Sequence, residues 1–544
     1  MKPVLILILL VVLAGCAPPV EAGLPIAAAT PSPALSATPF QPEPEPLTSP
    51  APPALWLDPA LPDGLRQAVV VPQGWQFAER QEEAAARLTP GIGAGGAPAG
   101  YWVYALAARF ATVEDEMDSA RLRLMWSGRA QNAAPLLLAA DTLAAFSAWW
   151  GAPGASAVQL VEPADLVDAL WQQPDALAIL PFEQLEPRLK VLALDGISPL
   201  ARGLQPARYP LALPYYLSGS LPKSLAAGIP AGNRDEAQLT VVALTGVTAL
   251  VRASASTLRV RGIEHALSEV ADWLRAADIT HINNEVAFRP RCAPALEGLN
   301  DEGVIVFPCS DIRYIELLEA VGTDVVEMTG DHFIDAAPQD VLFTIDEYHR
   351  RGWQTYGGGR TLEEGWQPAL FDHNGNRIAF LGCNAKGRAY AAASPTKPGA
   401  VLCDFERLAA EVSRLRGQGY LPIVTFSHLE YETFTAREPA ISDFQRVAEA
   451  GALIVSGSQG HLPQAMAFHA GGFLHFGLGN LFFDQFSLGE PFDRAFIDRH
   501  VFYQGRYIAT ELLTLRFENF VRSRAMTAEE RAALLEVIFA ASGW

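Results

Sequence analysis

The sequence predicts an α/β protein built in two folded parts. Three observations lead there. Short β-branched and aromatic runs alternate with stretches of helical period, as strands alternate with crossover helices. The runs end abruptly in polar residues, as 423–426 does before His428 and 453–455 before His461. Such ends lie at the ligand-binding edge of an open α/β sheet. Finally, 544 residues, half of them apolar, exceed what one hydrophobic core uses. The formal net charge of −20 disfavours nucleic acid as a partner.

Residues 1–16 read as a signal segment: Lys2, an apolar run over 4–13, then Ala14-Gly15-Cys16. The run is too short to span a bilayer. Small residues before a cysteine resemble a bacterial lipobox, which implies lipidation at Cys16 and a membrane anchor. Residues 17–55 are rich in Pro, Ala, Ser, Thr and Glu and read as an extended, disordered tether. The four remaining cysteines, Cys292, Cys309, Cys383 and Cys403, form an even set in an exported chain. Three pairings are open, and the two local loops, 292 with 309 and 383 with 403, are the simplest. The predicted location is extracytoplasmic.

A first α/β part covers 56–235. Strands are predicted over 101–110, 136–138, 176–180 and 189–194, with a helix over 164–171. The order Phe110-Ala111-Thr112-Val113-Glu114-Asp115, then Leu124-Met125-Trp126-Ser127-Gly128, then Ala178-Ile179-Leu180-Pro181-Phe182 resembles periplasmic solute-binding proteins of the phosphate- and molybdate-binding kind. A small anionic ligand would follow from that resemblance. A scaffold or partner-binding role fits the same alternation.

The mostly polar stretch 234–239 leads into a second part, 236–516. Its expected strands are 239–244, 279–282, 324–328, 377–382, 423–426 and 453–455, with a final hairpin over 468–483 around Ala470-Gly471-Gly472. Helices are expected over 262–276, 311–321, 338–351 and 405–417. A helical tail, 517–544, carries the capping pattern Thr527-Ala528-Glu529-Glu530 and a helix over 526–541.

The residues after these strands carry the chemistry. Asn283 and Glu285 follow one strand, Asp331, His332 and Asp335 the next, His428 and Glu430 a third, and His461 a fourth. Oxygen donors with imidazoles from separate strand ends suit a divalent cation such as Mn²⁺, Fe²⁺ or Zn²⁺. His469 and His475, on the last hairpin with apolar neighbours, read as half-buried strand residues.

The order of these motifs over 239–485 resembles the CapA family, the poly-γ-glutamate capsule proteins. Asn283-Asn284-Glu285 is similar to its Asn-Leu-Glu, and Gly330-Asp331-His332 with Asp335 to its Asn-Asn-His followed by Asp. Ser427-His428-Leu429-Glu430-Tyr431 resembles a shortened His-Trp-Gly-x-Glu-Tyr. Gly457-Ser458-Gln459-Gly460-His461 stands where the family has Gly-His-His-Pro-His, and 477–484 resembles Ser-Leu-Gly-Asn-Phe-x-Phe-Asp. The resemblance implies the calcineurin-like metallophosphoesterase superfamily and a four-layer α-β-β-α sandwich. It also implies a metal-dependent hydrolase of the envelope, acting on a phosphoester or a capsule-related polymer. His332, His428 and His461 would be catalytic. Glu285, Asp331 and the same histidines would hold metal, with Asn283, Glu430, Gln459 and Asn480 at the substrate.

Two departures weaken that set. Val247 stands where the family's first metal carboxylate is, and Ser458 and Gln459 replace two histidines. They point to one ion or none. The alternative is a non-catalytic protein that binds an envelope polymer through a degenerate metal site.

Overall fold

The computed structural model describes residues 51–544, except 92–95, 220–221, 293–297, 300–304, 308, 336 and 388. Cys16 and the tether up to residue 50 lie outside the described residues.

The N-terminal part is organised on a mixed sheet. Its order is Gln76–Phe77, Ala54–Leu57, Ala86–Pro90, Ala212–Gly219, Gly100–Arg109, Leu177–Pro181, Leu136–Leu138 and Val158–Leu160. Gly100–Arg109 is central because nearly all of it is apolar and buried. A strand covered on both faces reads this way.

Two further sheets build the rest. In the first, Gln354–Tyr356, Val325–Glu327, Ile279–Asn284 and Leu239–Thr245 run parallel, and Arg494–Tyr503, Arg506–Phe517 and Ser523–Ala525 continue it antiparallel. In the second, Asn376–Asn384, Leu421–Ser427, Ile454–Ser456 and Gly472–His475 run parallel between antiparallel edges.

Burial shows how they stack. Leu244 and Ile279 from the first sheet share a core with Phe380, Ile423 and Ile454 from the second, so the sheets face each other. The outer face of the first packs Ile282 and Val326 against Leu258, Leu274, Leu318 and Ile345 of four helices. The outer face of the second packs Val424 and Val455 against Val412 and Phe444 of two more. These are the four α-β-β-α layers. Each such buried side chain contributes about 1.5–3 kcal/mol. The N-terminal core continues into this body through Leu239, Val241, Val501 and Tyr503.

Three elements depart from the sequence pattern. In place of one helix over 262–276 there are Arg252–Arg261, which precedes that range, and Glu269–Arg275 within it. Gly262 at φ +78° ends the first, and the Ser268 side chain accepts from Val270 N to start the second. The hairpin expected over 468–483 is shorter, pairing Met466–His469 with Gly472–His475. The chain then leaves the second sheet, and Asn480–Phe482 pairs with Val247–Thr248 beside the first. Gly479 allows the crossing: its φ is +83°, and a Cβ there would stand 2.7 Å from that of Ala495. Last, the hairpin of Arg494–Tyr503 and Arg506–Phe517 turns at Gln504 and Gly505, both at positive φ. The sequence offers Gln-Gly there, a weaker turn signal than Asn-Gly.

The capping pattern forms as its residues predict. Thr527 Oγ1 accepts from Glu530 N, and Glu530 Oε2 accepts from Thr527 N, at the start of Ala528–Ala541. Thr527→Ala is expected to lower stability by about 1 kcal/mol. Urea denaturation reads this, and an unchanged midpoint would show the cap to be idle.

Cys292 pairs with Cys309 and Cys383 with Cys403, with Cα–Cα distances of 6.0 and 5.0 Å. Among the described residues, no helix is long and apolar enough to cross a membrane.

Candidate metal centre

The carboxyl ends of the parallel strands from both sheets lie at one edge, where the connecting loops carry mostly buried polar side chains. Glu285 follows Ile279–Asn284, and Asp331 and His332 follow Val325–Glu327. One ligand atom from each of Glu285, Asp331 and His332 lies within 4.8 Å of the others. His332 is oriented by its far side. Its Nδ1 bonds Asp335 Oδ2 at 2.6 Å, and Asp335 Oδ2 also accepts Phe307 N at 2.8 Å. That leaves Nε2 toward Glu285 and Asp331, at 4.0 and 3.9 Å. An imidazole held by a carboxylate on one nitrogen presents the other as a ligand.

Electrostatics tighten the picture. Burial pushes the Glu285 carboxyl up, while His332, His461 and Lys386 pull it back. Glu285 Oε2 is wholly buried and accepts no hydrogen bond. A buried carboxylate with one oxygen unpaired, beside an imidazole and a second carboxylate, fits a cation among them. For His332, burial opposes charge, but Asp335, Glu285 and Asp331 outweigh it and raise the imidazole above its ordinary value.

A residue outside the predicted set stands among these groups. Lys386 lies just beyond Asn376–Asn384, a fifth strand ending at the same edge. Its Nζ is 3.0 Å from Asp331 Oδ1 and also donates to Glu430. Burial opposes the ammonium charge, and Asp331, Glu430 and Glu285 overcome it, raising the group above its ordinary value. Its place after a strand is the signal in the sequence that could have found it. A search for metal ligands passes over lysine because an ammonium donates only.

The other predicted residues take three places. His461 is adjacent: Nδ1 bonds Asn480 Oδ1 at 2.8 Å, and Nε2 lies 3.7 Å from Glu430. Asn480 reaches it because its strand crosses to the first sheet. His428 turns away from the Glu285 group. Its Nε2 bonds Asp443 Oδ2 at 3.0 Å and its Nδ1 accepts Leu429 N at 2.8 Å, so both ring nitrogens are used. It still lines, with Glu430 and His461, a cavity of about 210 Å³. Asn283 lies deeper, donating to Ser458 Oγ at 3.2 Å, and Ser458 donates to Glu327. Gln459 is fully buried with both amide atoms unpaired.

Where the family places metal ligands, packing has taken over. Val247 is fully buried in a small apolar cluster with Phe307 and Phe483. Beneath Ser458, Glu327 accepts from His281 Nε2 at 3.1 Å, both fully buried. Burial works against the Glu327 charge, but His281, Ser458 and Thr329 hold its carboxyl below the usual range. His475 is fully rather than half buried, its Nδ1 2.6 Å from Asp498 across the two sheets. Asp484 accepts from Arg252 and, at 2.7 Å, from Ala253 N, anchoring the helix Arg252–Arg261.

These features define a four-layer α/β fold with a carboxylate–imidazole centre at its strand ends. Residues 241–485 match the family described as bacterial capsule synthesis protein PGA_cap. The chain therefore carries a domain of the CapA family. The capsule biosynthesis protein CapA of Bacillus anthracis is 24% identical over 177 residues, which is 31% of this chain and 43% of that protein. The PGA biosynthesis protein CapA of Bacillus subtilis (strain 168) is 26% identical over 180 residues, 31% and 45% respectively. This chain thus spans less than half the length of these relatives. Among solved structures, a 5'-nucleotidase precursor from Thermus thermophilus aligns with a TM-score of 0.30 and 12% identity, covering 56% of this chain and 58% of its own. An ABC-type phosphate transport receptor from Vibrio cholerae aligns with a TM-score of 0.22 and 12% identity, covering 26% and 73%.

Proposed function

We propose that this chain is an extracytoplasmic CapA-family protein of the cell envelope, lipid-anchored at Cys16. In this reading it hydrolyses a phosphoester or a poly-γ-glutamate-like, capsule-related polymer. The observation that carries it is the convergence of Glu285, Asp331 and His332 within 4.8 Å, with one buried Glu285 oxygen left unpaired. The two cystine pairs support an oxidising compartment.

Those three residues would hold one divalent ion, which when bound supplies a Lewis acid for a substrate oxygen. The protein's own groups do the rest. Lys386 places a fixed positive charge beside the centre for an anionic substrate. His461, its Nδ1 held by Asn480, turns Nε2 toward the cavity and can give a proton to the leaving oxygen. Glu430 lines the same cavity and flanks the path of the substrate, whereas Asn283 and Gln459 are fully buried outside its lining.

Metal content and phosphodiester and poly-γ-glutamate turnover of the purified chain test this reading. The expectation is a bound ion, loss of that ion in His332→Ala, and a turnover loss on the order of 10²–10⁴ in His461→Ala. Absence of metal together with identical background rates in all three proteins rejects it.

A second reading, a non-catalytic protein gripping an anionic envelope polymer, is favoured by Lys386. Its ammonium already balances Asp331 and Glu430, as a metal would. Thermal stabilisation by glutamate oligomers without added metal would support this alternative.

A further inference from the structure

The N-terminal part holds a second cavity, of about 570 Å³, far from the strand-end centre in sequence. Four carboxylates line it: Asp63, Asp141, Glu162 and Glu183. Among the described residues no Lys, Arg or His does. Asp63 is paired with the exposed Arg66. Asp141, Glu162 and Glu183 have no cationic partner among the described residues. Asp141 accepts from the Thr142 main chain and side chain, and Glu183 from Asn233, Trp102 and its own backbone N–H, all of them neutral donors. Burial pushes the Glu183 carboxyl up, and no cation pulls it back.

Two aromatic residues on one face of Gly100–Arg109 mark this place as built. Trp102, almost fully buried, forms part of the wall and turns its indole N–H toward the Glu183 carboxylate. The Tyr104 hydroxyl is wholly buried and unpartnered. Besides burial, the charges of Asp141, Glu183 and Asp63 all raise this hydroxyl. Gly64 keeps the space open: a Cβ there would stand 2.8 Å from the Trp102 ring and 3.0 Å from Glu183 Oε1.

We infer that this cavity binds a small organic ammonium ion. Carboxylates without counter-charge repel the oxyanion that a solute-binding resemblance suggests for this part of the chain. They attract a cation. An indole wall with Leu160 beside it suits an alkyl-ammonium better than a hydrated metal, which needs six or more oxygens around one point. The volume is that of a small-molecule site.

Calorimetric titration of the full chain with putrescine tests this, with calcium chloride and inorganic phosphate as the other arms. Putrescine is expected to bind saturably. Glu183→Gln should weaken it by about tenfold or more, because a charge-assisted hydrogen bond is lost. Glu162→Gln, an exposed change that leaves folding intact, should weaken it by a smaller, measurable factor. If Glu183→Gln does not fold, Glu162→Gln alone decides. No saturable putrescine binding, equal affinity in the folded variants, or uptake of calcium or phosphate in its place overturns the inference.

Discussion

Lys386→Met is expected to destabilise the protein by about 3–5 kcal/mol in metal-free buffer, the range for breaking a buried ion pair from one side. The ammonium is almost fully enclosed, 3.0 Å from Asp331 Oδ1, with Glu430 as its second partner. Removing it takes away one of the positive charges, beside those His332 and His461 can carry, that offset Glu285, Asp331 and Glu430. Methionine keeps most of the volume, so the loss is electrostatic rather than a cavity effect. The same substitution should increase affinity for Mn²⁺, because the fixed cation no longer competes for Asp331. Added MnCl₂ should therefore stabilise Lys386→Met more than the native chain. Chemical denaturation with and without MnCl₂, together with calorimetric titration of the ion, reads both effects. Equal stability of the two proteins, or equal stabilisation by the ion, would sink this account of the centre.

Between pH 6.5 and 4 the native chain should lose about 3 kcal/mol that a His500→Leu variant keeps. His500 lies between the two sheets, fully buried, with Nδ1 bonded to Thr510 Oγ1 at 2.8 Å. Burial lowers its pKa to about 4, with the nearby His475 adding to the shift and Asp498 opposing it. The sign follows from proton uptake. Above pH 6.5 the imidazole is neutral in both states and costs nothing. Below it the unfolded chain takes a proton that the folded chain refuses until about pH 4. That stability is full above 6.5 and lost as pH falls through about 4, about 1.4 kcal/mol for each unit of difference. Denaturation midpoints across this range for both proteins test it, and parallel curves would show that His500 is not the source of the acid sensitivity.

Much of the chemistry is legible along the chain because each strand marks its own end. Glu285, Asp331 and His332 follow short apolar runs, and a parallel α/β sheet brings such ends to one edge whatever the details of its loops. The helix cap at Thr527 is equally local, a matter of four residues. The helix Arg252–Arg261 is not legible in this way. It buries Ser254, Ala255 and Leu258, too few apolar residues to give a helical period, and its start is secured by Asp484, more than two hundred residues away.

By itself, then, the sequence determined the alternation of strands and helices, the cysteines, and the order of acidic and imidazole groups over 241–485. These follow from local propensity, period and spacing. Tertiary structure alone decided which groups meet. His428 has the right type and position, yet Asp443 of a neighbouring helix takes its Nε2. Lys386 carries no ligand signature, yet it closes the centre through partners 55 and 44 residues away. The four carboxylates of the N-terminal cavity are scattered from Asp63 to Glu183 and show no pattern until the sheet is assembled. Loop direction and side-chain reach depend on what packs opposite, and in this chain those partners are distant in sequence.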